Sequence, residues 1–316
     1  MKSCLIKLFR ISVCTALLIG GTQSIAASYT EAAPAVQIGQ ASEKPQNPSE
    51  LNQFVRDLLG CLSDKDPFQG WKKAEFIAEP LGPGTHAWLI TLRTPSPSGG
   101  YLIIGAKPGG GYALIEYGLG EEPLFAAKSL EHALALVRDW GEERDLLIEK
   151  LYAGPTLAEW KISAKGSTEE SRYFDAVSGE LLPETDTSWA KQANITVPSD
   201  PSVVHSGSLV TAPMKTVITA RAFNTYENIA WMNQKALNVN NQNSFIKHLK
   251  LKKKLVYASL GQGRTYSISL PVNGYQSWTH LRTESLYVMS KLDGSIRWIS
   301  LASLESMGEF YDANGS

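Results

Sequence analysis

The side chains best suited to nucleophilic or metal chemistry in this chain are three cysteines and five histidines. Cys4 and Cys14 lie in a segment with the features of a removable leader, which leaves Cys61 as the one candidate thiol nucleophile. A catalytic thiolate needs a histidine to hold it and a polar group to orient that histidine. His86, His132, His205, His248 and His280 fall in no recognisable local signature. Cys61 also closes a helical pattern, where the helix dipole opposes a thiolate, so it is assigned as a small, semi-buried core residue. Closely spaced zinc-ligand motifs such as HExxH, CxxC or HxH do not occur. His280 and Glu284 stand four residues apart, but in a stretch expected to be loop beside a strand. The GxSxG elbow of serine hydrolases is missing as well. Gly109-Gly110-Gly111 precedes a strand pattern rather than a helix, so it lacks the N–H groups that cradle phosphate. No catalytic, cofactor-binding or metal-binding residue is therefore assigned, no cofactor is expected, and the chain is not expected to be an enzyme.

Binding chemistry has more to work with. Lys247, Lys250, Lys252, Lys253 and Lys254 crowd into eight residues and are candidates for contact with an anionic partner. The same lysines would also complement the dipole at a helix C-terminus, with Leu249, Leu251 and Leu255 facing the core. Eight tryptophans are spread along the chain. Trp88, Trp160 and Trp298 fall on strand patterns and read as packing residues. Trp189 and Trp278 fall outside clear patterns and are the two expected to be exposed as aromatic contacts.

The leader is marked by Lys2, Lys7 and Arg10, then the apolar run Ile11 to Ile19, then Gly20-Gly21 and the small residues Ser24 and Ala26. That order reads as a secretory signal peptide over 1–26 with cleavage after Ala26. The run is about half the roughly 20 residues of a membrane span, so no transmembrane segment is expected in the mature chain. Removal of the leader takes Lys+Arg from 30 to 27 against 31 Asp+Glu, a net charge of −4. Such mild acidity argues against nucleic-acid binding. With Cys61 alone remaining, an internal disulfide is impossible, so the exported chain must be held by its core. Localisation is expected to be secreted or at the cell envelope.

Two stretches without periodicity divide the rest. Residues 27–49 read as a flexible tether, and residues 184–215, rich in Ser, Thr and Pro, as a linker. Between them, Leu51, Phe54, Val55, Leu58 and Leu59 recur at helical spacing behind Ser49. Strands are predicted at Lys72–Ala78, His86–Arg93, Tyr101–Ala106 and Tyr112–Tyr117, followed by a helix over Leu130–Trp140. Further strands fall at Leu147–Tyr152, Leu157–Ser163 and Arg172–Ala176. Beyond the linker, a short helix near Asn243–Lys253 precedes strands at Leu255–Leu260, Thr265–Leu270 and Ser285–Lys291. Asp293-Gly294 marks a hairpin. The fold class is α+β: a helix-plus-antiparallel-sheet domain over 50–183, and a small β-rich domain over 216–316, predicted as a β-barrel of SH3-like size.

Within the first block, SRYFDAVSGELLPE (Ser171 to Glu184) resembles the closing hairpin of PepSY-type domains through Tyr173, Asp175, Gly179 and Glu180. The run GGYLIIGAKPGGGYALIEYGLGEEPLF is similar to the strand pair of inhibitory pro-segments in secreted cysteine proteases. This resemblance implies a non-catalytic module that binds or restrains an exported peptidase, acting in trans because no peptidase-like domain follows. Two functions are thus expected as alternatives. One is a secreted binding or regulatory protein that engages an exported peptidase or other extracytoplasmic protein. The other is a wall- or surface-associated module whose C-terminal lysines contact anionic envelope polymers.

Overall fold

The computed structural model describes residues 37–38, 48–82, 86–93, 99–107, 110–120, 123–138, 145–166, 170–193, 213–280, 283–292 and 294–314. The expected leader, most of the tether, residues 194–212, Trp140, His205 and Asp293 lie outside them. From the N-terminal side come β1 (Gln37–Ile38), α1 (Pro48–Leu62), β2 (Glu75–Leu81), β3 (Ala87–Arg93), β4 (Gly99–Ala106) and β5 (Tyr112–Gly120). They are followed by α2 (Ala127–Ala135), β6 (Leu146–Gly154), β7 (Leu157–Ala164), β8 (Arg172–Asp175), β9 (Leu181–Leu182) and α3 (Asp186–Ala193). The C-terminal part holds β10 (Pro213–Ile218), α4 (Gln242–Lys252), β11 (Leu255–Ser259), β12 (Ile268–Val272) and β13 (Gly274–His280). It closes with β14 (Thr283–Leu292), β15 (Ser295–Ser300), α5 (Leu301–Glu305) and β16 (Glu309–Asp312). The α+β class with a predominance of antiparallel sheet is what the residue patterns predict.

An eight-stranded antiparallel sheet, in the order β10-β13-β14-β15-β5-β4-β3-β2, forms the middle layer. Alternation along its strands sorts the side chains. Leu102 and Ile104 of β4, Tyr287 and Met289 of β14 and Trp298 of β15 point to one face, where α1 lies on them. The helix buries Leu51, Phe54, Val55, Leu58, Leu59 and Leu62 there, the stripe its spacing predicts. On the opposite face two smaller sheets sit side by side. Under β3–β5, Leu89, Tyr101, Ile103 and Ile115 pack on α2 and on Ile148, Tyr152, Trp160 and Phe174 of the sheet β1-β6-β7-β8-β9. Under β13–β15, Tyr275, Leu286, Val288 and Ile299 pack on α4 and on Leu255, Tyr257, Val272 and Phe310 of the sheet β12-β11-β16.

Three sequence expectations change here. The strands of the C-terminal block do not close into a barrel. They divide between two sheets, because β15 pairs outward with β5, from Ile296 opposite Leu119 to Ile299 opposite Glu116. That pairing carries one continuous sheet across both sequence blocks. Within the expected tether, Gln37–Ile38 adds a parallel strand to β6 at Leu147–Ile148. Part of the expected linker is helix α3, started by Thr185 and Ser188: the Ser188 N–H donates to Thr185 Oγ1 at 3.2 Å, and the Thr185 N–H to Ser188 Oγ at 3.0 Å.

Candidate functional site

A cleft of about 410 Å³ opens at the seam where the two small sheets meet over β5 and β15. Its floor carries an ion pair set into the middle sheet. Glu116 of β5 is fully buried, and it accepts from Arg297 Nε at 3.1 Å and Nη2 at 2.8 Å. Tyr101 OH donates to Glu116 Oε1 at 2.5 Å, and Tyr152 OH to Oε2 at 3.3 Å. Arg297 Nη2 also donates to the Pro155 carbonyl at 2.7 Å, fixing the turn between β6 and β7. Both carboxylate oxygens are thereby bonded, which is the condition for holding a charge away from water. Burial would pull the Arg297 guanidinium down, and the adjacent Glu116 carboxylate more than offsets that, so its proton is held more firmly than usual. Burial and then Glu116 push the Tyr101 and Tyr152 phenols well up, so both remain donors.

The walls are mostly apolar and come from the two neighbouring sheets. One wall is the turn after β8. There Asp175 Oδ1 accepts the N–H of Val177 at 2.9 Å and of Ser178 at 2.7 Å, and the Gly179 N–H donates to the Asp175 carbonyl at 2.8 Å. Gly179 stands at φ 74° against the backbone of Ser129, where a side chain would collide with α2. Tyr173, Asp175, Gly179 and Glu180, singled out in the sequence, thus build a hairpin, with Asp175 and Glu180 on the cleft. The facing wall is β12, of which Ile268, Ser269, Leu270 and Pro271 all line the cleft. Thr156 also lines the cleft; it is 3% exposed, and its hydroxyl has no hydrogen-bond partner among the described residues.

A second buried cluster ties the two small sheets together behind the cleft. Arg264, in the connection between β11 and β12, bonds Glu159 of β7 and Glu184 ahead of α3 through the same Nη2. Tyr266 OH donates to Glu184 at 3.2 Å, and Ser188 Oγ bonds its other oxygen. Gln192 of α3 adds a main-chain clasp, accepting the Gln262 N–H at 2.8 Å. Glu159 Oε2 and Arg264 Nε, both buried, are left without partners among the described residues. Burial therefore outweighs Arg264 and, with Glu184 adding like charge, pushes the Glu159 carboxyl up to about 8.

The two tryptophans expected at the surface are buried. Trp189 is 4% exposed, because α3 lays it on Tyr173 with ring centres 6.4 Å apart. Trp278 is 3% exposed on β13 and packs against Tyr117 at 5.8 Å and Tyr287 at 5.4 Å. Of the lysine run, Lys247, Lys250, Lys253 and Lys254 are exposed on α4 and its end. Lys252 is drawn to Asp312 at 2.7 Å, and Lys254 lies 5.4 Å from the Phe223 ring centre. Leu251 is exposed, not core-facing, because Phe245 and Leu249 set the buried stripe. Burial, then Asp64 and Asp57, push the Cys61 thiol up to about 11. Among the described residues no group of three or more His, Cys, Asp or Glu side chains is placed to hold a metal ion. Sequence reasoning missed Glu116, Thr156 and Arg297. A single charge inside an otherwise apolar strand, as in YALIEYGL and SIRWIS, was the available signal.

No family model matches the chain, and no match was found among curated proteins or solved structures.

Proposed function

We propose that this chain is an exported, non-enzymatic binding protein that engages another extracytoplasmic protein through the seam cleft. The observation that carries this is the cleft itself, with its largely apolar walls, a lining threonine whose hydroxyl has no partner among the described residues, and a floor whose charges are already paired. A concave, mostly apolar site with a few polar groups is the common form of a binding site. The Glu116–Arg297 pair contributes rigidity there: a carboxylate with both oxygens bonded is poorly placed to take a proton from a substrate. A role for the exposed lysines on envelope polymers gains less support, since Lys252 is paired with Asp312 and Lys254, though exposed, lies over the Phe223 ring.

Leu292 lines the cleft and is 38% exposed, so an acid there blocks the site without opening the core. Tagged wild-type chain and Leu292→Asp are to be recovered from the culture medium of the native host after cross-linking. A partner captured by the wild type and lost with Leu292→Asp is the expected result. Equal capture by both would remove the cleft from the account.

A further inference from the structure

We infer that the cleft takes an uncharged, extended peptide segment, with one main-chain amide bonded to Thr156 and its flanks laid along β12 and the β8–β9 hairpin. This inference rests on the binding-protein reading and names what the cleft recognises. Its first support is Thr156. A buried hydroxyl without a partner forfeits hydrogen bonding it had in water; that of Thr156 has none among the described residues, and Thr156 is one of the residues that line the cleft. An amide group seated against Thr156 would supply the missing bond.

The second support is the form of the walls. Side chains alternate along a strand, so one face offers every second residue. Four consecutive residues, Ile268 to Pro271, line the cleft, which requires the strand's edge to front it. β12 is the terminal strand of its sheet, and β9, which places Leu182 on the opposite wall, is the terminal strand of the other. Edge strands carry main-chain donors and acceptors at strand spacing, which an extended peptide matches and an alkyl chain does not. Pro271 fits this position, since proline is confined to strand edges.

Charge supplies the third support. Among the described lining residues, Arg297 is the one basic side chain and is spent on Glu116, and the remaining charged ones are the acids Asp175 and Glu180. A ligand carboxylate would enter a site with unmatched negative charge and lose its water, so anions are disfavoured.

The test uses the purified full-length chain and titration calorimetry with three probes: acetyl-(Thr-Val)3-amide, the same peptide with one central glutamate, and decanoate. The neutral peptide is expected to bind, with the glutamate peptide and decanoate at least about tenfold weaker. Thr156→Val is expected to weaken the neutral peptide about three- to tenfold. It should leave the thermal midpoint unchanged or raised, because the hydroxyl loses no internal partner. Decanoate or the glutamate peptide binding as tightly, no binding of the neutral peptide, or affinity untouched by Thr156→Val would each overturn the inference. If partner capture still depends on Leu292, the binding-protein reading stands while the ligand class falls. Capture indifferent to Leu292→Asp removes the cleft and the inference with it.

Discussion

Arg297 and Arg264 each face a glutamate with no exposed surface, Glu116 and Glu159, yet the two clusters are satisfied to different degrees. Glu116 receives two guanidinium N–H groups and two phenols, one positive charge for one negative. Among the described residues Glu159 receives a single N–H, shares its arginine with Glu184, and leaves Oε2 and Arg264 Nε unbonded. The location of each explains the contrast. The first lies within one continuous sheet, where the register of β5 and β15 sets its geometry. The second spans three separate segments, from β7, the start of α3 and the β11–β12 connection, and no common ladder aligns them. Burial of a charge therefore builds a rigid floor in one place and a proton-sensitive clasp in the other.

The largest expected effect breaks the first cluster. Arg297→Met strands Glu116 in the interior and should lower the unfolding free energy by about 3–5 kcal/mol at pH 7. Arg264→Met should lose less, about 2 kcal/mol, because Glu159 already holds a proton at pH 7. Chemical denaturation of both variants measures the difference. Equal losses would mean that the two clusters are held alike.

Next comes the pH dependence of the clasp. The Glu159 carboxyl is raised in the folded chain from 4.5 to about 8. Between those values the native state holds a proton that the unfolded state has released, so stability falls as pH rises from about 4.5 to about 8 and levels off above. Asp186 and Asp312 are shifted the other way: burial raises them, but their hydrogen-bond and ion-pair partners, chiefly Lys161 for Asp186 and Lys252 for Asp312, more than offset it. They contribute stability that is present above about 3.8 and lost below it, outside this window. Glu159→Gln should flatten the slope and be the more stable protein at pH 9, by about 1–3 kcal/mol. A wild-type profile matching that of Glu159→Gln from pH 5 to 9 would show that Glu159 is ionised throughout.

The same contrast governs what was legible in the sequence. Helix α1 could be read because its apolar residues recur at helical spacing on one face, and strands β3 to β8 because they are short, mostly apolar runs bounded by turn residues. Strand β13, GYQSWTH, could not: it buries Gln276 and Ser277, polar residues that become tolerable only when Tyr117 and Thr216 bond Gln276 across strands. Trp278 on that strand was consequently placed at the surface. Helix α3 was obscured by the Ser/Thr-rich run that in fact caps it. The joining of β15 to β5 was invisible, since strand pairing between residues 177 to 183 positions apart leaves no local trace, as in Ile296 opposite Leu119 and Ile299 opposite Glu116. The cleft was lost with it, because its floor is made by that pairing and its walls by sheets from both blocks. Asp175 and Gly179 were legible as a turn, and their place on a cleft wall was not.

The finest comparison removes one phenol from each cluster. Tyr101 is buried and donates to Glu116 at 2.5 Å, whereas Tyr266 is half-buried and donates to Glu184 at 3.2 Å. A hydrogen bond to a charged group contributes about 1.5–3 kcal/mol, less where the acceptor keeps other donors or reaches water. Glu116 retains Arg297 and Tyr152, so Tyr101→Phe is expected to cost about 1–2 kcal/mol. Glu184 retains Arg264 and Ser188, and the longer bond is worth less from the outset, so Tyr266→Phe is expected to cost about 0.5 kcal/mol. Both variants keep the ring and its packing, so denaturation midpoints compare hydroxyls alone. A larger loss for Tyr266→Phe than for Tyr101→Phe would reverse the ranking, making the clasp behind the cleft the tighter of the two.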